Sequence, residues 1–143
     1  MERISRHISY KEATHSPTAL RYGITNHPDD TILAAMRLVA ERCFEPAREW
    51  YGKPIHINSF YRSFKLNLQV GGATNSQHMK GEAIDIDTKD NAENARLYEW
   101  MRTNLIFDQL IWEYGNINGP DWIHISYKRT GNRQQYFKII KTT

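Results

Sequence analysis

Two histidines and an aspartate in this chain have the types and setting needed to hold a catalytic metal ion. His78 and Asp85 lie in the run Ser76-Gln77-His78-Met79-Lys80-Gly81-Glu82-Ala83-Ile84-Asp85, and His124 closes Asp121-Trp122-Ile123-His124. Two imidazoles and one carboxylate fill three corners of a zinc tetrahedron and leave the fourth for water, as in a catalytic rather than a closed structural site. Taken singly, each residue has a plainer reading. A lone histidine on a strand is usually a satisfied core or surface residue, and Asp85 could bond locally in a turn.

The elements that must gather these residues can be read from hydrophobic spacing. Ala83-Ile84-Asp85-Ile86-Asp87 alternates, so a strand there would turn Ile84 and Ile86 to the core and Asp85 and Asp87 to the other side. The same alternation over Trp122 to Tyr127 places Trp122, His124 and Ser126 on one face and Ile123 and Ile125 on the other. Gly81 allows the sharp bend that would bring His78 back toward Asp85. Further strands are expected over Pro54–Phe60 and Gln109–Tyr114, the latter followed by the turn-rich Gly115 to Pro120.

Helix-start chemistry at Asn26 to Thr31 precedes an amphipathic helix from Thr31 to about Trp50, which Pro46 is expected to bend or end. A short helix over Phe64–Val70 should close at Gly71-Gly72. A second long one over Asn91–Asn104 should bury Ala95, Leu97, Tyr98 and Met101. Residues 1–28 read as irregular, punctuated by Pro17 and Pro28. The connections between the later strands are too short for crossover helices. The expected fold is therefore a small α+β domain with a mainly antiparallel sheet and two longer helices.

Composition narrows the function classes. At 143 residues the chain reads as a single domain, 1–143, able to close its own core. Its single cysteine, Cys43, excludes both an internal disulfide and a thiolate zinc cage. Cys43 lies in an apolar helical stretch and reads as a buried small residue. The net charge of +3 comes without a Lys/Arg run, which speaks against a nucleic-acid partner. No stretch has the apolar length of a membrane span or a signal peptide, so the expectation is a monomer without membrane insertion, made in the cytoplasm.

Taken together, several segments resemble one family. Ser59-Phe60-Tyr61-Arg62-Ser63, Asn67, Val70-Gly71-Gly72, the Ser76–Asp85 run and Asp121–His124 are similar to the signature of the M15 zinc D-Ala-D-Ala carboxypeptidases. That group includes the phage L-alanyl-D-glutamate endolysins. Ser16 to Ala19 and Gly23 to Asn26 extend the resemblance upstream. It covers roughly Ile8 to Tyr127 and implies a hedgehog/DD-peptidase fold with one zinc ion on His78, Asp85 and His124.

The resemblance also implies roles. Asp121, three residues before the last ligand, would be the general base, passing the proton of the attacking water to the leaving amine. Many relatives carry Glu there, and some carboxypeptidases place a histidine where this chain has Trp122. Arg62 would bind the substrate carbonyl or carboxylate, and Ser76 would bond near the ligands or substrate. Glu113 is the alternative base should Asp121 point away. Asp87 reads as a carboxylate behind the ligands or a solvated one. Trp112, Tyr114 and Trp122 could wall a substrate cleft or belong to the core, and Tyr61, beside Arg62, is open to either use. His7, His15, His27 and His56 share no metal-ligand spacing.

The implied activity is hydrolysis of peptidoglycan stem peptides at a bond involving a D-residue. A chain without an export signal would then reach the wall by phage-type release or act on imported muropeptides. The alternative of another class is a zinc-stabilised binding module of the same fold. Asp121 and Arg62 discriminate between the two, since a pure binder needs neither a base nor an electrophile beside the ion.

Overall fold

The computed structural model describes residues 3–140. It opens on a small antiparallel pair, β1 (Arg3–Ser5) and β2 (Ile8–Ser9), followed by α1 (Tyr10–Thr14) and α2 (Pro17–Tyr22). The expected irregular segment is thus largely built, and local caps explain why. Ser9 and Glu12 form a reciprocal capping box on α1, and Ser16 caps α2 with Pro17 in its first turn. Of the expected irregular stretch, residues 1–2 lie outside the described residues, and 24–29 form no regular element.

The first long helix begins at Asp29, whose side chain accepts from the Ile32 N–H, and runs as α3 (Asp30–Val39). A π turn (Ala40–Phe44) links it directly to α4 (Glu45–Tyr51). Pro46 therefore does not end the helix. Proline lacks an N–H and its ring crowds the carbonyl four residues back. The π turn, in which the Glu45 N–H reaches back five residues to the Ala40 carbonyl, accommodates it. Gly52, at φ 75°, stops the helix.

Beyond it come β3 (His56–Ser59), α5 (Phe64–Gln69), a 3₁₀ turn (Gln77–Lys80), β4 (Ala83–Asp87) and α6 (Asn91–Asn104). The chain then finishes with β5 (Gln109–Glu113), β6 (Trp122–Ser126) and β7 (Gln135–Ile139). The five-stranded sheet has the order β3-β4-β6-β5-β7. Its first three pairings are antiparallel, and β5–β7 is parallel. β7 was not expected from the sequence. It runs parallel to β5 without a crossover helix because β6 lies between them in the chain and supplies the return. Its side chains are mostly exposed, so no buried alternation marks it.

The sheet divides the molecule. Ile84, Ile86, Leu110, Ile123 and Ile125 are fully buried on one face, in a cluster with Met36, Val39 and Phe44 from the first long helix and Leu97 and Met101 from α6. Each such side chain contributes roughly 1.5–3 kcal/mol by leaving water. In α6 the buried stripe is Asn94, Leu97, Tyr98 and Met101; Ala95 is only partly covered. No helix among the described residues is long and apolar enough to cross a membrane.

Candidate metal centre

The opposite face of the sheet carries polar residues, and strand register decides which of them meet. Asp85 on β4 pairs with His124 on β6, which pairs in turn with Ile111 on β5; one step along, Trp122 pairs with Glu113. Directly paired residues project from the same side of a sheet, so Asp85, His124, Trp122 and Glu113 share a surface. His78 arrives from the 3₁₀ turn. Ser76 caps that turn by accepting from the His78 N–H at 3.2 Å, and Gly81 ends it at φ 71°. A Cβ on Gly81 would lie 2.7 Å from Met36 Cγ and 2.8 Å from the Ile32 carbonyl oxygen, so only glycine fits.

Two short distances define the centre. His78 Nε2 lies 3.2 Å from Asp85 Oδ2, and His124 Nδ1 lies 3.0 Å from Asp85 Oδ1. The second nitrogen of His78, Nδ1, lies 2.7 Å from the Phe60 carbonyl oxygen. A carbonyl can only accept, so Nδ1 carries a proton, and Nε2 is the nitrogen turned to Asp85. One ligand atom from each of the three side chains lies within 4.8 Å of the others. Zinc bonds of ~2.0–2.1 Å in a tetrahedron put neighbouring ligand atoms about 3.3 Å apart. The spacing here suits such an ion. Burial alone would raise the Asp85 carboxyl, but the His78 and His124 imidazoles outweigh it and hold it far below the usual carboxylate range. Cys43 is no rival ligand, being buried in the core with its thiol pushed up to about 12.

The three side chains line a cleft of about 580 Å³ together with Arg62, Ser76, Glu113 and Trp122. Arg62 Nη2 donates to Ser76 Oγ at 3.2 Å, while its Nε is buried without a partner. Desolvation lowers the Arg62 pKa, and the charges of Asp85 and Glu113 counter it. Asn26 holds the backbone on either side of Arg62, donating to the Tyr61 carbonyl at 3.1 Å and accepting from the Ser63 N–H at 2.8 Å. Glu113 has its pKa raised, first by burial and then by the Asp85 charge, against smaller opposite pulls from His124 and Arg62. A carboxylate whose proton affinity has been lifted beside a cation site is suited to proton transfer.

A family model for peptidase M15 matches residues 6–126. The chain belongs to the peptidase M15 family. The zinc D-Ala-D-Ala carboxypeptidase of Streptomyces albus G is 53% identical over 34 residues, which are 24% of this chain and 13% of that relative. The match thus covers a small part of the relative's length.

Within this M15 domain some expected site residues lie elsewhere. Asp121 does not line the cleft. Its backbone N–H donates to the Glu113 carbonyl at 3.0 Å, and its exposed carboxylate accepts from Asn91 Nδ2 at 3.2 Å. There it borders a separate hollow with Asp87, Asp90 and Asn94. Asp87 is tied into that hollow, accepting from Asn94 Nδ2 at 2.9 Å. Tyr61 is buried and borders a hollow on the far side of Arg62, with His15 and Pro17, rather than the metal cleft. Trp112 belongs to the helix side, edge-on to Tyr98, whereas Tyr114 and Trp122 pack edge-on at the cleft.

Sequence reasoning missed Gln77, Asn26 and Asp108. Gln77 Oε1 lies 3.2 Å from His124 Nε2, and Gln77 Nε2 donates to the fully buried Asp108 at 2.9 Å. A signal for Asp108 was available: an aspartate between Phe107 and the apolar run of β5 has to find a partner if it is buried.

Proposed function

We propose that this chain is a zinc-dependent peptidase that hydrolyses a peptide bond in the stem peptides of bacterial peptidoglycan. The convergence of His78, Asp85 and His124 in a cleft shared with Arg62 and Glu113, in an M15 chain, carries this reading. Zinc held by those three side chains supplies a Lewis acid that acidifies water and polarises a carbonyl.

This chain's own residues supply the rest. Glu113 takes the proton of the attacking water on a carboxylate oxygen and delivers it to the leaving amine nitrogen. Arg62, partly desolvated and with hydrogen-bonding capacity to spare, holds the carbonyl oxygen as it gains negative charge. Ser76 fixes the guanidinium by accepting from Nη2. Trp122, with Tyr114 against it, walls the substrate's path. The base role passes to Glu113 from Asp121 because Glu113 borders the cleft and Asp121 a different hollow.

The bond is one of two in the same substrate class, D-Ala-D-Ala at the stem terminus or L-Ala-D-Glu nearer the glycan, and the family resemblance supports a hedgehog/DD-peptidase arrangement. The enzyme would act as a monomer on wall material. A non-catalytic binding module would leave Arg62 and Glu113 without a purpose. The test is digestion of intact muropeptides with and without chelator, read by mass. Loss of a terminal Ala identifies a carboxypeptidase, and release of the stem from its first Ala identifies an endopeptidase. Unchanged muropeptides in the presence of added zinc refute the proposal.

A further inference from the structure

His124 turns both ring nitrogens to oxygen acceptors, so a cation can take the lone pair of one nitrogen only while the other keeps its proton. Nδ1 faces Asp85 Oδ1 at 3.0 Å, and Nε2 faces Gln77 Oε1 at 3.2 Å. The Gln77 amide is itself held from behind, since its Nε2 lies 2.9 Å from Asp108 Oδ2. Asp108 is fully buried, and three further donors surround it. Arg133 gives its backbone N–H at 3.1 Å, Nε at 3.0 Å and Nη2 at 2.8 Å, while the Lys128 ammonium stands 3.9 Å away. In this company Asp108 stays ionised, with its pKa lowered to about 2 chiefly by the Arg133 hydrogen bond.

An ionised carboxylate only accepts, so the NH₂ of Gln77 must point to Asp108 and its carbonyl oxygen must point to His124. That oxygen also only accepts. Nε2 therefore carries a proton, and the neutral ring that a cation requires turns its Nδ1 lone pair to the side where His78 Nε2 and Asp85 converge. Every group in the chain Arg133–Asp108–Gln77–His124 is oriented by the one behind it. Its anchor, Arg133, lies beyond the 6–126 match, in the loop leading to β7.

We propose that Gln77 is a positioning residue which, clamped by Asp108 and Arg133, locks His124 in its Nε2-protonated form and presents Nδ1 to the cation. The proposal rests on the reading of His78, Asp85 and His124 as a cation site. Removing a partner behind a metal-bound histidine typically lowers cation affinity ~10–100-fold.

The test uses the full chain in two readouts. Two-bond ¹H–¹⁵N spectra of the zinc-loaded protein report which nitrogen of His124 carries the proton, and competition with a chromophoric chelator reports zinc affinity. Wild type should show His124 protonated at Nε2. Gln77→Leu, which removes the acceptor, should show a mixture of tautomers and bind zinc about 10–100-fold more weakly. Gln77→Glu keeps an acceptor toward Nε2 and should retain the wild-type tautomer. Should Gln77→Leu fail to fold, Arg133→Gln carries the test, because it loosens Asp108 from a largely solvent-facing position and should give a smaller shift in the same direction. A folded Gln77→Leu protein with the wild-type tautomer and zinc affinity within twofold overturns the proposal. So does a wild-type His124 protonated at Nδ1. Failure of the cation-site reading looks different: wild type and Asp85→Ala would then bind zinc equally poorly.

Discussion

Replacing Glu113 by glutamine keeps the side chain's size and removes its capacity to take a proton. Glu113 lines the cleft but is not among the three side chains that converge, so the variant should load zinc to the wild-type level. A positioned general base is worth ~10²–10⁴-fold, or about 2.7–5.4 kcal/mol of barrier at 1.36 kcal/mol per decade. The upper half of that range is expected here. The carboxylate is partly desolvated and stands on the site face, its strand partner Trp122 directly beside His124's strand position. The assay is single-turnover hydrolysis of a purified muropeptide, with zinc measured on the same sample and Asp121→Asn run in parallel. The aspartate variant should stay within about threefold, because its exposed carboxylate bonds to Asn91 in another hollow. A fully zinc-loaded Glu113→Gln protein within tenfold of wild type refutes the reasoning. If Asp121→Asn collapses instead, the base is Asp121, and the cleft rearranges when substrate binds.

The remaining predictions concern stability and reactivity. Asp108 has its pKa depressed to about 2 against an unfolded value of ~3.9, so its stabilisation is complete above that unfolded value and is lost as pH falls through the folded one. The gap in Tm between wild type and Asp108→Asn should be wide at pH 6 and close between about pH 4 and pH 2; a pH-independent gap contradicts the assignment. Gly81→Ala meets both a left-handed backbone and a 2.7–2.8 Å clash with Met36 and Ile32, and should cost about 2–4 kcal/mol in urea unfolding while weakening zinc binding through displacement of His78. Cys43, buried with its thiol raised to about 12, should resist thiol reagents in the native protein and react at once in denaturant; rapid native labelling would show that the core opens.

How far the site could be read from the chain depends on the range of the information each part needs. The strands β4 and β6 were legible because isoleucines on one face and polar groups on the other mark both their period and their orientation. The long helix was legible too, but its passage through Pro46 was not. Whether proline ends or distorts a helix depends on tertiary packing, and here Ala40, Cys43, Phe44 and Ala47 are all buried around it. β7 escaped because an edge strand with exposed side chains carries little burial pattern. The Gln77–Asp108–Arg133 chain joins residues 31 and 25 positions apart, and no local spacing encodes that.

The choice of base shows where local reasoning reverses. Asp121 stands three residues before His124, an odd offset, and side chains an odd number apart along a strand face opposite ways. Unless a bulge intervenes, the alternation that puts His124 in the cleft turns Asp121 out of it. The β5–β6 register runs without a shift from Glu113↔Trp122 to Leu110↔Ile125, but Asp121 lies just before β6 and its N–H bonds to Glu113, one residue out of that register and beside Tyr114 at φ 57°; its carboxylate meets Asn91 in another hollow. Glu113 is eleven residues from His124 in the chain, yet its pairing with Trp122 places it on the His124 face. The family spacing and the observed placement of the two side chains therefore point to different carboxylates. A rearrangement of this irregular strand end on substrate binding would reconcile them, and hydrogen exchange at the Asp121 amide, with and without an uncleaved stem peptide, would reveal it. Protection of that amide unchanged by the peptide keeps the Asp121–Glu113 backbone bond intact and Glu113 as the base.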